Sequence, residues 1–198
     1  MGILEELNPA QREAAETVEG PILILAGPGS GKTRVIAHRI AYLVKEWGIS
    51  PRRIIAVTFT NKAAREMRDR LQALLGRSVE ELTLGTFHAI CARILRSDGI
   101  GVDRGFAIYD EEDQLILVKR GIQDIGLDPR QYPPRVIRSA ISSAKSRLIT
   151  PEDYARYKSS YFEEIVERVY ERYQELLSES RALDFDDLLM KTVELFQN

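Results

Sequence analysis

The sequence is poor in everything that would tie it to an oxidising or membranous setting. Among 198 residues there is one cysteine, Cys91. A single thiol excludes an intrachain disulfide and fits a reducing cytoplasm. No apolar run approaches the roughly 18 residues of a membrane span. The N-terminal MGILEELNPAQ is acidic where a signal peptide is basic and then apolar. Met1-Gly2 begins like a myristoylation site, but Glu6 stands where that pattern wants Ser or Thr. Neither sign of charge dominates: 28 Lys and Arg against 30 Asp and Glu leave a formal net charge of −2. Any contact with a polyanion must therefore come from local patches. Internal repeats and low-complexity tracts are also absent. What remains is a globular composition, 44% apolar and 29% charged, and a length sufficient for one domain or one domain with a sizeable insert.

The chain changes character near Phe106. Before it, short apolar runs alternate with helical patterns. Asn8, Pro9 and Gln11 form a helix start with a capping box, and Gly20 fits the stop. Ile22–Leu25, bounded by Pro21 and Gly27, reads as a strand buried on both faces. A helix follows from about Gly31, with Ile36, Ile40, Leu43, Val44 and Trp47 on one stripe. Residues 54–59 form a second buried strand, 63–75 a helix, 82–84 a weaker strand and 87–95 another helix. This alternation predicts a parallel sheet with crossover helices. Beyond Phe106 the pattern is helical: 111–125, 134–147, 151–158, 161–178 and 184–196, punctuated by Pro129, Pro133-Pro134 and Pro151. The boundaries expected are an α/β core over 1–105 and a helical insertion over 106–198.

AGPGSGKT, from Ala26 to Thr33, follows a strand and opens a helix, the context that phosphate binding requires. Its glycines let backbone N–H groups turn inward toward phosphate oxygens, and the helix N-terminus adds partial positive charge. The nucleotide-binding candidates are Gln11, Ala26, Gly27, Pro28, Gly29, Ser30, Gly31, Lys32, Thr33 and Arg34. Lys32 is placed to reach the β and γ phosphates and Thr33 to hold Mg²⁺, which makes these two the catalytic candidates and implies ATP and Mg²⁺ as cofactors. Ala26 stands where the pattern has its first glycine.

Hydrolysis needs acidic metal ligands as well. Two clusters compete. Asp110-Glu111 follow an apolar run, Phe106 to Tyr109, but a helix continues at once, and acids at a helix start are favoured by its dipole without any catalytic role. Asp184, Asp186 and Asp187 follow Leu183 with no evident strand, so capping at the surface is expected of them.

Taken in order, LNPAQREAA, AGPGSGKTR, VTFTNKAAREM, GTFHAICARIL and LDFDDLL resemble the N-terminal motor region of the UvrD/PcrA/Rep family of superfamily 1 DNA helicases, from about Leu7 onward. The resemblance implies a P-loop (RecA-like) parallel sheet, incomplete in this chain, with an inserted all-helical subdomain. It implies that Gln11 reads the adenine edge and that Arg34 belongs to the nucleotide site. It implies DNA contacts from Phe59, Thr60, Asn61 and Lys62, which offer an aromatic face, polar donors and a cation, and from Thr86 and His88. It also implies that the metal acids, a water-orienting glutamine, arginine fingers and a second motor domain lie beyond Asn198.

Independently of the resemblance, residues 130–150 contain no acid, while Arg130, Arg135, Arg138, Lys145 and Arg147 all occur there. Arg138 and Lys145 are seven apart and so share a helix face. Such a face can track duplex phosphates or simply be solvated; the resemblance, in which this subdomain meets duplex DNA, implies contact from Arg138 and Lys145.

The expected function is thus the front part of an ATP-dependent DNA helicase. The intact protein would move 3′–5′ on single-stranded DNA toward a duplex junction, in the cytoplasm and with DNA-repair partners, while this chain alone would not unwind. Two other readings stay open: a nucleotide- or DNA-binding module that hydrolyses nothing, and the motor part of a helicase–nuclease subunit.

Overall fold

The structure is a computed structural model that describes residues 2–98, 103–156 and 159–197. The chain forms two compact units, Met1–Ile90 and Cys91–Asn198. The sequence placed the change of character later, at Phe106. No helix among the described residues is long and apolar enough to cross a membrane.

In the first unit, α1 (Pro9–Glu16) begins as its sequence dictates. The Asn8 side chain accepts the Gln11 N–H, and the Gln11 side chain returns to the Asn8 N–H. α2 (Lys32–Lys45) follows the glycine loop. A 3₁₀ turn at Pro51–Arg53 leads into β1 (Ile55–Thr58). Thr60 caps α3 (Asn61–Leu75) by accepting the Ala63 N–H, and α3 stops at Gly76, whose φ of 61° suits a residue without a Cβ. A second 3₁₀ segment precedes β2 (Thr83–Thr86), and α4 (Phe87–Asp98) follows. β1 and β2 are parallel neighbours, Ile55 opposite Thr83 and Thr58 opposite Thr86. Parallel pairing needs a crossover, and α3 supplies it. α3 buries Ala64, Met67, Leu71 and Leu75, one face of a helix, against Ala37, Ile40 and Ala41 of α2 and the strand residues Ala56 and Leu84.

Two expectations for this unit fail. Ile22–Leu25 is not a strand: among the described residues it has no ladder partner, and Leu23 and Leu25 are 81% and 86% exposed. An apolar run becomes a buried strand only where neighbouring strands cover it, and the run itself carries no record of them. Of the stripe expected along α2, Ile40 is buried and Leu43 and Val44 are half-buried, but Ile36 is exposed, as is Trp47 beyond the helix end. The covered face is Val35, Ala37, His38, Ile40 and Ala41, because the small alanines let α1 and α3 approach closely.

The second unit contains β3 (Ala107–Tyr109), α5 (Glu111–Asp124), α6 (Pro134–Ser146), α7 (Pro151–Tyr154), α8 (Tyr161–Glu179), β4 (Ala182–Asp184) and α9 (Phe185–Gln197). α7 is shorter than the helix expected over 151–158, and residues 157 and 158 lie outside the described residues. The unit is not all-helical. β3 and β4 pair in parallel, Ala107 with Ala182 and Tyr109 with Asp184. Around this pair, Cys91, Ala92 and Leu95 of α4 pack with Phe106, Leu183 and Leu188. The larger core joins Leu117, Val118 and Ile122 of α5, Ile137, Ile141 and Ala144 of α6, and Ile165, Val166, Val169, Tyr170, Tyr173, Leu176 and Leu177 of α8. Asp110 caps α5: it accepts the N–H groups of Glu112 and Asp113, and Asp113 returns to the Asp110 N–H. The acids at 110–113 therefore serve the helix start, as the dipole argument favoured.

One polar cluster is built into this core. The Lys145 side chain is 0% exposed, and its ammonium donates to Asp184 Oδ2 at 2.7 Å and to Asp187 Oδ1 at 2.8 Å. The Tyr173 hydroxyl donates to Asp184 Oδ2 at 2.8 Å, and Gln174 Nε2 reaches both Asp187 oxygens at 3.2 and 3.3 Å. Asp184 and Asp187 also accept each other's backbone N–H groups across the start of α9. Burial raises the Asp187 carboxyl while the ammonium draws it down. Burial first, and the carboxylates next, push the Tyr170 and Tyr173 phenols well up, so both remain donors. Two expectations are corrected. Asp184 and Asp187 cap α9, but from the interior and not the surface. Arg138 and Lys145 do share a face, but it points inward: Lys145 is enclosed, and Arg138 is held by Glu111 at 2.7 Å and Gln114 at 3.4 Å. Lys145 cannot meet a duplex, because its charge is already matched by buried acids.

Removing only the cation strands two carboxylates in the interior. Lys145→Met is expected to lower unfolding stability by about 3–5 kcal/mol, and Tyr173→Phe by about 1.5–3 kcal/mol, the value of a hydrogen bond to a charged group. Urea denaturation followed by circular dichroism measures both. A loss below about 1 kcal/mol for Lys145→Met would show that this cluster does not hold the unit together.

Candidate nucleotide and nucleic-acid sites

The segment from Ala26 to Ser30 is exposed, and the chain turns through it on two left-handed glycines, Gly29 (φ 73°) and Gly31 (φ 85°). The Ser30 hydroxyl donates to the Gly27 carbonyl at 2.7 Å and holds the curl. A Cβ added at Gly27 or Gly29 would meet nothing within 4 Å, so both glycines border open space. Gly31 is the N-cap of α2 and brings no side-chain cap. The first N–H groups of α2 thus keep their donor capacity and the partial positive charge of the helix end. Lys32 Nζ donates to the carbonyls of Ala26 at 2.8 Å and Gly27 at 2.7 Å, so its ammonium spans the base of the loop. Thr33 is half-buried in the first turn of α2, and Pro28 lies exposed in the loop. Arg34 is half-buried, and its Nε is enclosed with no hydrogen-bond partner among the described residues.

Gln11 reaches this loop from α1. Its Nε2 donates to the Ser30 carbonyl at 3.0 Å, while its Oε1 accepts the Asn8 N–H at 3.1 Å. An amide has two N–H groups and two acceptor lone pairs, so Gln11 keeps one of each. A Cβ at Gly31 would stand 3.2 Å from the end of the Gln11 side chain, and the φ of 85° favours glycine there. An inward-turned loop, an open helix end and an internal lysine fit a polyphosphate chemically.

The second group lies at the carboxyl ends of the strand pair. Thr58 and Thr86 are opposite each other in register, and the next residues are Phe59 and Phe87. Their ring centroids are 6.1 Å apart at 58°, with Phe59 94% exposed and Phe87 49% exposed. Thr60, Asn61 and Lys62 are exposed beside Phe59, although the Thr60 hydroxyl is committed to capping α3. Thr86 is half-buried and accepts the Ala89 N–H at 3.3 Å; His88 is half-buried. Phe87 was not among the candidates from sequence. The signal for it was present: Thr-Phe occurs at 58–59 and again at 86–87, each time where a strand hands over to a helix. The structure therefore gathers Gln11 with the glycine loop and Phe59 with Phe87. It does not bring Arg138 or Lys145 to a surface of this kind.

Comparison with known proteins places the chain in a family. Residues 7–198 match the model of a family described as the UvrD/REP helicase N-terminal domain. The chain is 51% identical over 195 residues to the ATP-dependent DNA helicase PcrA of Leuconostoc citreum, covering 97% of this chain and 26% of that protein. It is 47% identical over 196 residues to PcrA of Bacillus subtilis (strain 168), covering 98% of this chain and 26% of that one. With PcrA of Staphylococcus aureus (strain Mu50) it shares 47% identity over 197 residues, 98% of this chain and 27% of the relative. The chain thus spans about a quarter of the length of these relatives. With a match that runs from residue 7 to residue 198, the chain belongs to the UvrD/REP helicase N-terminal domain family.

Proposed function

We propose that this chain is the nucleotide-gripping part of an ATP-dependent DNA helicase motor. In the intact protein, ATP hydrolysis would drive 3′–5′ movement along single-stranded DNA and unwinding at a duplex junction. The observation that carries the reading is the loop Ala26–Thr33, open at an uncapped helix N-terminus and touched at its rim by Gln11. ATP would be held by loop N–H groups and Lys32 at its phosphates and by Gln11 at its base. Arg34 would add a further charge to the site. Thr33 would hold Mg²⁺, which neutralises phosphate charge when bound. The core over 1–105 takes the RecA-like role and 106–198 the inserted subdomain. A cytoplasmic setting and DNA-repair partners belong to the same reading.

Phe59 and Phe87 supply the second half. Two exposed rings at adjacent strand ends offer stacking surfaces for bases, and every base has a face to stack. Asn61 and Lys62 beside Phe59, and Thr86 and His88 beside Phe87, supply polar and cationic groups for the backbone. Asp110 is committed to capping α5, which supports the view that this chain holds a nucleotide without hydrolysing it efficiently.

Two outcomes test this. Lys32→Ala should weaken binding of a fluorescent ATP analogue with Mg²⁺ at least about tenfold, since hydrogen bonds from a charged donor are lost. Unchanged affinity would remove the loop from the site. Phe59→Ala and Phe87→Ala should each weaken binding to a labelled oligothymidine, read by fluorescence anisotropy, by about five- to a hundredfold. All affinities should fall as salt rises. Wild-type affinity in the double variant would place the DNA track elsewhere.

A further inference from the structure

α2 serves the loop at one end and fastens α1 further along. Arg39, two turns beyond the loop, donates from Nη1 to the Ala14 carbonyl at 3.1 Å and to the Thr17 carbonyl. Those carbonyls belong to the last turn and the C-cap of α1. The last carbonyls of a helix have no partner within it, and a cation there also complements the helix dipole. The preceding residue, the buried His38, hydrogen-bonds through Nδ1 to the Ile3 carbonyl upstream of α1. Arg12 ties the same stretch by donating to the Leu4 carbonyl at 3.2 Å.

α1 has eight residues, too few to be stable by intrinsic propensity. Its position is set by what holds it: burial of Leu7 and Ala15, and the side chains of α2. It carries Gln11, which has one N–H and one lone pair to spare. An adenine edge offers one donor and one acceptor, whereas the same edge of guanine offers two acceptors. Gln11 can satisfy both adenine groups but leaves its lone pair facing a guanine acceptor. That discrimination depends on where α1 sits relative to the loop.

We infer that Arg39 is the positioning residue for adenine selection: by bridging the Ala14 and Thr17 carbonyls it sets α1 so that Gln11 meets the loop and the base together. This rests on the reading of Ala26–Thr33 as an ATP site. Arg39 touches no nucleotide in this account and acts only through α1.

The test is equilibrium binding of ATP, GTP and inorganic tripolyphosphate, each with Mg²⁺, to the chain and to Arg39→Ala, Arg39→Lys and Gln11→Ala. The unaltered chain should prefer ATP. Arg39→Ala should lose about tenfold in ATP affinity with GTP and tripolyphosphate nearly unchanged, so that its preference falls to that of Gln11→Ala. The double variant should be no less selective than Gln11→Ala alone, because both substitutions act through one contact. Arg39→Lys, which keeps the cation but not the fork, should retain part of the preference. If Arg39→Ala keeps the preference that Gln11→Ala loses, the role of Arg39 is overturned and the nucleotide site stands. Loss of tripolyphosphate binding together with ATP in Arg39→Ala also overturns it, since Arg39 would then support the unit as a whole. An unaltered chain without ATP binding or without preference overturns both.

Discussion

A single buried ammonium organises the second unit. Lys145 lies on α6, Tyr173 and Gln174 on α8, Asp184 at the end of β4 and Asp187 in the first turn of α9, so one cluster joins four elements. Two carboxylates this deep are tolerable only because each oxygen has a donor: the ammonium, a phenol, an amide and two backbone N–H groups. The Tyr170 and Tyr173 rings also lie 5.8 and 5.1 Å from the ammonium, within cation–π range. Apolar residues could fill the same volume. They would not tie α6 and α8 to the end of β4 through directed contacts.

The first unit has no such ionic core among its described residues. Its order comes from α2, which lies between the strand–helix packing of α3 and the short α1. A helix whose N-terminus must face a ligand cannot spend that end on capping by its own side chains. α2 is therefore anchored along its length, by Ala37 and Ala41 in the core and by His38 and Arg39 against α1. The N-terminal end carries no side-chain cap while the rest of the helix is held.

Local chemistry was legible in the sequence wherever a few adjacent residues decide it. Asn8 with Gln11 and the acids at the start of α5 follow from short-range capping rules, and the structure keeps them, but α1 ends at Glu16 with Thr17 as its C-cap and not at Gly20. Non-local matters were not legible. The spacing of Arg138 and Lys145 correctly put them on one face of α6, but the acids that pull Lys145 inward lie 39 and 42 residues away. β4 is three residues long, too short for a periodic signal, and it exists because β3 lies beside it. Ile22–Leu25 errs in the opposite direction: its composition suits a buried strand, but nothing among the described residues pairs with it. The residues from Gln11 to Thr33 were singled out because glycine, lysine and amide chemistry is written in their identities. Phe87 was missed because the reading of that block went to its polar residues, Thr86 and His88.

The two strand-to-helix joints of the first unit and the loop-to-helix joint before α2 differ in one respect. The joints before α3 and α4 are closed by threonine hydroxyls, Thr60 on the Ala63 N–H and Thr86 on the Ala89 N–H. With a hydroxyl there, the helix end is less available to an anion, and these joints present Phe59 and Phe87 instead. The joint before α2 ends in Gly31, which has no side chain to close it. Its N–H groups keep their capacity, and a helix N-terminus in that condition favours concentrated negative charge. A nucleotide carries several charges on adjacent phosphates, whereas a single strand spreads its charge along a backbone between stackable bases. On the proposed reading, the helix starts of one small unit would serve two different ligands. The choice at each joint turns on whether the N-cap is a threonine or a glycine.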